Sequence, residues 1–191
     1  MLFKPEFDEN GKKILCEMNG INSEMLMDIY VKKLKKGEKL VIDEKNNECA
    51  VLLLSGEVNF SVGGSINEDC KRKNPFEKKP YAVHFSHGTH AEITAFSDSE
   101  VLVQMTDNNR EWEPVFYNPD NCLYQEFGKG QWNGTGHRIV STMFDLDNAP
   151  YSNMVMGEVF NQPGRWSSYP PHYHPQPELY YYQFDRPEGF G

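Results

Sequence analysis

Residues 48–62, ECAVLLLSGEVNFSV, decide the fold that the sequence predicts. The stretch is rich in Val, Leu and Phe, and after Gly56 its apolar residues alternate with polar ones, as in a strand with one buried face. Ser55-Gly56 interrupts the pattern, so we expect a tight turn or a bulge there. The stretch therefore predicts a β-rich fold built around residues 48–62.

Shorter strand patterns lie on both sides of this stretch, separated by turn signals. They cover residues 37–42, 81–85, 92–96, 101–105, 138–144 and 153–160. The charged segment 67–79 is predicted to be a loop, and residues 22–30 are the best candidate for a short helix. Short strands at this spacing predict an all-β fold, an antiparallel sandwich or small barrel.

Composition narrows the function classes. The chain has 191 residues and a net charge of −9, which argues against nucleic acid or an anionic membrane surface as the main partner. No apolar run is long enough to span a membrane, and the start MLFKPEFDENGKK lacks the apolar core of a signal peptide. The four cysteines form no CxxC pair, so we expect free thiols and a cytoplasmic protein.

We divide the chain into three segments. Residues 1–105 carry the first set of strands. Residues 106–136 shift to Asn, Asp, Gly, Trp and Pro and are predicted to be a linker region, and residues 137–191 begin a second set. VLLLSGEVNF and MVMGEVF share a loose apolar-Gly-Glu-Val-x-Phe pattern, which suggests an internal duplication. The second set has room for only part of a second barrel.

The run HYHPQPE at residues 172–178 is the strongest candidate site. In a strand His172 and His174 project from the same face, and two prolines force a turn before Glu178. Two imidazoles and one carboxylate suit Zn, Mn, Fe, Co or Ni rather than Ca or Mg. The alternative interpretation is an exposed polar turn between two strands.

Other residues near this motif have both a structural and a functional interpretation. Tyr180 and Tyr182 share a face with Glu178 on a strand and are candidates for substrate binding, although packing is the commoner role of tyrosines. Arg165 and Arg186 are equally ranked candidates for binding a substrate carboxylate, or both face solvent. The histidines of HFSHGTHAE, residues 84–92, are predicted to be ordinary surface and turn histidines rather than a second metal site.

Several motifs together resemble the 5-deoxyglucuronate isomerase family of inositol breakdown, which is related to the 5-keto-4-deoxyuronate isomerases. The resemblance covers most of the chain and rests on LLLSGEV, NPFEKKPYAVHFSHG, GEV, PG, WSSYPPHxH and ELYYY. It implies a two-cupin architecture (double-stranded β-helix, jelly roll) with a degenerate first cupin and an incomplete second barrel. It also implies a divalent transition metal bound by His172, His174 and Glu178, with zinc and manganese as the preferred candidates.

The resemblance further implies an aldose–ketose isomerase that converts 5-deoxy-glucuronate to 5-dehydro-2-deoxy-gluconate. The family has a further histidine ligand downstream, and this sequence has no histidine after His174. We therefore expect a truncated product, a natural short relative, or a partner that supplies the missing part. The alternatives are a non-catalytic sugar-binding cupin or an isomerase of a related deoxyuronate.

The general base and the oligomeric state are the last two points that the sequence raises. The general base is unknown: Glu158 is a candidate, but an exposed strand position is the preferred interpretation. An incomplete barrel leaves strand edges that invite pairing, so a homo-oligomer is expected.

Overall fold

The computed structural model of the protein describes residues 3–77, 79–167 and 172–189. In these ranges the chain is built of β-strands and two single 3₁₀ turns, Ser23–Met25 and Trp132–Gly134. The strands are β1 (Lys12–Cys16), β2 (Asp28–Leu34), β3 (Lys39–Ile42), β4 (Asn47–Val62), β5 (Ile66–Arg72), β6 (Ala82–Phe85), β7 (Ala91–Ala95), β8 (Ser99–Asp107), β9 (Val115–Tyr117), β10 (Leu123–Phe127), β11 (Arg138–Phe144) and β12 (Met156–Asn161). The predicted all-β class is confirmed.

Strand β4 joins two sheet regions because it bends in the middle. Its first part pairs with β6 and β8, and its second part pairs with β5 and β7. The register with β8 shifts between Leu53 and Ser55, which confirms the predicted bulge. Gly56 follows with a φ of 106°, and a Cβ there would lie 2.6 Å from the Cα of Ser99. Only glycine meets both demands without strain.

The first half of β4 is buried on both faces, which explains why it reads as a continuous apolar run. Cys49, Val51 and Leu53 point into the inner core, together with Val58 and Phe60 from the second half. The inner core fills the space enclosed by β2 to β8. The intervening residues of the first half face the other way and belong to a second core.

The second core, here called the junction core, joins the nine-stranded sheet to the three-stranded sheet β10-β11-β12. From the nine-stranded sheet it takes Ala50, Leu52 and Leu102, and from the other side Met143 and Phe144. The remaining members are Leu15, Cys16, Ile29, Val31, Leu54, Ala82, Tyr117, Ala149, Met154 and Met156. Strands β2 to β8, which enclose the inner core, are here called the first barrel. Because the two sheets share the junction core, the loop between β11 and β12 is held against this barrel.

Two local predictions were wrong, both because pairing outweighed local composition. The segment 67–79, predicted to be a loop, contains most of β5, which pairs with β4 and buries Cys70 and Arg72 between exposed polar residues. The helix expected over 22–30 is only a 3₁₀ turn, and Asp28 already begins β2 with alternating burial.

The segment 106–136, expected to be a linker region, contains two strands. Strand β9 pairs with β6, and β10 pairs with β11. Within the part of the chain that is described, no helix has the length and apolar character needed to cross a membrane.

Candidate metal centre and its surroundings

The segment that carries the motif leaves β12 through a turn at Gln162–Gly164 and is tied to a neighbouring loop. The amide of Trp166 donates to the carbonyl of Thr135 at 2.7 Å, and Nη1 of Arg165 reaches the carbonyl of Asn133 at 3.4 Å. Arg165, predicted to bind substrate, is therefore half-buried beside this loop. Ser168 to Pro171, part of the motif WSSYPPHxH, lie outside the described residues.

Two of the three predicted metal ligands are adjacent. Nε2 of His174 lies 3.3 Å from Oε2 of Glu178, and the ring centroids of His172 and His174 are 5.5 Å apart. His172 and Glu178 are exposed and His174 is half-buried. In the described ranges no group of three or more His, Cys, Asp or Glu side chains is close enough to hold a metal.

The hydrogen bonds of His174 nevertheless suit a metal ligand. Nδ1 of His174 lies 2.8 Å from the carbonyl of Gln176, so Nδ1 carries the proton and donates it. In the neutral ring Nε2 then presents a lone pair toward the carboxylate of Glu178. Two acceptors at 3.3 Å repel each other unless a cation or a proton lies between them. A carbonyl that fixes the tautomer is also the usual outer partner of a metal-bound histidine, so this donor set fits a divalent ion.

Tyr180 and Tyr182 lie on the exposed side of the segment, with ring centroids 6.1 Å apart. Leu179 and Tyr181 face the opposite way and pack against the junction core. The predicted alternation is confirmed, and burial raises the pKa of Tyr181 above its usual value. The predicted strand–turn–strand is not formed, because an extended segment becomes a strand only beside a partner ladder and described residues 172–189 have none.

His84 is not the surface histidine that the sequence predicted. It is fully buried on β6, and its Nε2 lies 3.4 Å from Oε2 of Glu48, also fully buried, on β4. Its ring stacks on Phe144 at 4.0 Å with 6° between the planes. By contrast His90 is exposed beside Asp43, as predicted for a turn histidine.

Glu48 is a residue whose role sequence reasoning missed. Its carboxylate accepts hydrogen bonds from Asn108 Nδ2 at 3.0 Å, from the amide of Asn153 at 2.7 Å and from Ser152 Oγ at 3.3 Å. The sequence did contain a signal for this role. Glu48 is a charged residue at the start of a strand that is buried on both faces, and it points to the same face as Ala50 and Leu52. Such a residue must be buried with partners.

Glu158 is not the exposed strand residue that the sequence favoured. Both of its carboxylate oxygens accept from Arg72, each at 2.7 Å, although the two residues are 86 positions apart. Arg72 is fully buried and also donates to the carbonyl of Leu53 at 2.8 Å. This bidentate pair fastens β12 to β5 of the first barrel.

Comparison with known proteins identifies the class. The chain matches the KduI/IolB family over residues 1–191 and belongs to that family. Its fold is of the cupin type found in that family: it superposes on an IolB-like protein from Salmonella typhimurium LT2 with a TM-score of 0.64. That match has 22% identity and covers 73% of this chain and 52% of the Salmonella chain.

Two relatives that are similar to this chain in sequence have the same name. A protein of Bacillus velezensis named 5-deoxy-glucuronate isomerase is 28% identical over 205 residues, which cover 100% of this chain and 74% of that protein. A protein of Geobacillus kaustophilus with the same name is 29% identical over 195 residues, which cover 96% of this chain and 68% of that protein. The chain thus spans about two thirds to three quarters of the length of these two relatives.

Proposed function

We propose that this protein is a metal-dependent isomerase acting on an acidic deoxy sugar, and that its reaction converts 5-deoxy-glucuronate to 5-dehydro-2-deoxy-gluconate. The family match over the whole chain, with relatives named for that activity, supports the reaction class. The observation that carries the site is the His174–Glu178 pair, in which Nε2 and Oε2 lie 3.3 Å apart while Nδ1 faces the carbonyl of Gln176.

His172, His174 and Glu178 would hold the ion, and zinc and manganese are the preferred candidates. An ion bound there would supply Lewis-acid polarisation of a sugar carbonyl, a chemistry that suits the exchange of a carbonyl and its neighbouring hydroxyl. Gln176 contributes by accepting from Nδ1 of His174, which keeps the Nε2 lone pair directed at the site.

Arg165, Tyr180 and Tyr182 would bind the substrate. A guanidinium binds a carboxylate through two parallel hydrogen bonds, and Arg165 provides one in a protein of net charge −9 that otherwise repels acidic ligands. The exposed phenols of Tyr180 and Tyr182 supply hydroxyl donors on the Glu178 side of the segment. Glu158 is less suited to proton transfer, because both of its oxygens are bound to Arg72.

The test measures metal and turnover separately. The protein is loaded with zinc or manganese and dialysed, and metal is counted by mass spectrometry before 5-deoxy-glucuronate is offered. We expect about one ion per chain and ketose formation that needs the ion. His174→Ala and Glu178→Gln should each lower metal affinity by about tenfold or more.

His90→Ala is the matched control, because His90 also pairs with a carboxylate on the surface, at 2.6 Å from Asp43. It should leave metal content and turnover unchanged. Equal metal content in wild type, His174→Ala and Glu178→Gln would refute the site, whereas bound metal without turnover would refute the reaction.

A second candidate is a sugar-binding cupin without catalysis. It is favoured by the lack, in the described ranges, of any three ligating side chains gathered around one point. The exposed row Tyr180, Tyr182 and Phe184, with ring centroids 6.1 and 6.2 Å apart, would then stack on a sugar. Sugar binding that persists after chelation of metal, with no turnover, would favour this candidate.

We also expect the protein to self-associate. Strand β10 is exposed along its whole length, and among the described residues it pairs on one side only, with β11, so its other edge is available for pairing with a second copy. Light scattering after gel filtration should give a mass above that of one chain, and a monodisperse monomer would contradict this expectation.

A further inference from the structure

A cluster of aromatic rings and one carboxylate lies where the first barrel meets the loop between β11 and β12, with Glu48, His84 and Phe144 fully buried and Trp112 and Tyr151 half-buried. It is here called the junction cluster and consists of Glu48, His84, Trp112, Phe144 and Tyr151. The ring centroid of His84 is 4.0 Å from that of Phe144, 5.0 Å from Trp112 and 6.1 Å from Tyr151. The cluster shares no residue with the candidate metal centre, and the proposed reaction does not use it.

Two atoms of the cluster have no hydrogen-bond partner among the described residues. They are Nδ1 of His84 and Nε1 of Trp112, and both are buried. Buried polar atoms in native proteins are almost always hydrogen-bonded, because leaving one unpaired forfeits its hydration without compensation. Two such atoms on neighbouring rings are therefore best explained together.

The chemistry of the two atoms is complementary. Glu48 accepts from Asn108, Ser152 and the amide of Asn153, which is the environment of an ionised carboxylate. An ionised carboxylate accepts only, so Nε2 of His84 must carry the hydrogen that faces it. In a ring whose single proton is on Nε2, Nδ1 is an acceptor, and Nε1 of Trp112 is a donor.

We infer that one buried molecule of the size of water bridges Trp112 and His84, accepting from Nε1 of Trp112 and donating to Nδ1 of His84. The ligand must be neutral and able both to donate and to accept, which is the hydrogen-bonding character of water. An anion does not fit, because it would face the lone pair of Nδ1 and lie close to the charge of Glu48.

The bridge gives the junction cluster a positioning role. It holds Nδ1 of His84 while Glu48 selects the tautomer that donates to it, and Glu48 in turn accepts from Ser152 and Asn153 just before β12. Asn108 reinforces the same loop by donating to the carbonyl of Tyr151 at 2.8 Å. The polar chain thus runs from Trp112 through His84 and Glu48 to the entrance of β12.

The first test uses the wild-type protein. Nitrogen-15 NMR of the imidazole should show His84 protonated at Nε2 only, and the Trp112 indole proton should show a cross-peak to a long-lived water. A high-resolution crystal structure should show one water within hydrogen-bond distance of both atoms. An imidazole protonated at Nδ1, an empty position, or a peak that bromide replaces would overturn the inference.

The second test uses Trp112→Phe, which keeps an aromatic ring but removes the N–H donor. We expect the water cross-peak to be lost and the amide of Asn153, which donates to Glu48, to exchange with solvent about tenfold faster. Trp166→Phe is the matched control, because Trp166 is 65% exposed, and it should leave that amide unchanged. Unchanged exchange at Asn153 in Trp112→Phe would refute the positioning role.

Discussion

Two histidine–glutamate pairs of almost equal length lie in opposite surroundings. His84 and Glu48 are 3.4 Å apart, 36 positions apart in sequence, and both side chains are 0% exposed. His174 and Glu178 are 3.3 Å apart, four positions apart in sequence, and 34% and 45% exposed. The same two residue types therefore form a packed junction in one place and an accessible donor set in the other.

The difference lies in what else each glutamate contacts. Glu48 is held by Asn108, Ser152 and Asn153 in addition to His84, so its acceptor capacity is used within the protein. Glu178 pairs with His174, and its side chain is 45% exposed to solvent. A carboxylate saturated by protein donors stabilises the fold, whereas an accessible one beside a lone pair can bind an ion.

The largest expected effect comes from removing each carboxylate in turn. Glu48→Ala should lower the free energy of unfolding by about 3–5 kcal/mol, because it leaves several buried donors unpaired. Glu178→Ala should change it by less than about 1 kcal/mol, as for a surface pair. Urea titration measures both, and equal losses would contradict the comparison.

Metal ions should act on the exposed pair alone. Zinc at a free concentration of about a hundred times its dissociation constant stabilises a one-site protein by about 2.7 kcal/mol, roughly 5–10 °C in Tm at this size. We expect His174→Ala to abolish the shift seen by calorimetry and His90→Ala to retain it. A shift that survives in His174→Ala would place the metal elsewhere.

Alkaline pH should lower the free energy of unfolding through the buried cysteine thiols. Burial raises the pKa of Cys16 to about 11 and that of Cys70 to about 12, from a usual value of 9. The folded state then binds these protons more tightly than the unfolded state, so the stabilisation is complete below pH 9 and is lost as the pH rises toward 11–12.

Each of these thiols should therefore lower the free energy of unfolding by about 1 kcal/mol between pH 8 and pH 10. Cys70→Ala should show a smaller decline over this interval than the wild type, measured by urea titration at both pH values. An identical decline in the two proteins would contradict the assignment to Cys70.

The smallest expected effect is at the exposed tyrosines. Tyr182→Phe should change the free energy of unfolding by less than about 0.5 kcal/mol, because Tyr182 is 46% exposed. Under the proposed function it should weaken sugar binding, which calorimetric titration measures. Tyr181→Phe is the control on the buried side, and it should leave sugar binding unchanged.

The sequence predicted the fold well where the pattern of burial was simple. The bulge near Gly56 and the strand Arg138–Phe144 were found because apolar alternation and a glycine in a strand have direct structural meanings. Strand β5 was missed because most of its side chains are charged and exposed, so it forms only by pairing with β4. Local composition carries no information about such a partner.

The candidate site was predicted in the same uneven way. The proximity of His174 and Glu178 was expected from the sequence, since they are four residues apart. It gave no indication that His84 meets Glu48 or that Arg72 meets Glu158, because those pairs are 36 and 86 positions apart. The buried position of His84 and the pairing of Glu158 with Arg72 were consequently not predicted.

The sequence by itself determined the all-β class, the family and the order of donors in HYHPQPE, because each is carried by residues close together in the chain. The tertiary structure alone decided which charged residues are buried and with what partners. A polar side chain of β4, β5 or β6 is buried or exposed according to the element that packs over its strand, and that element lies tens of residues away.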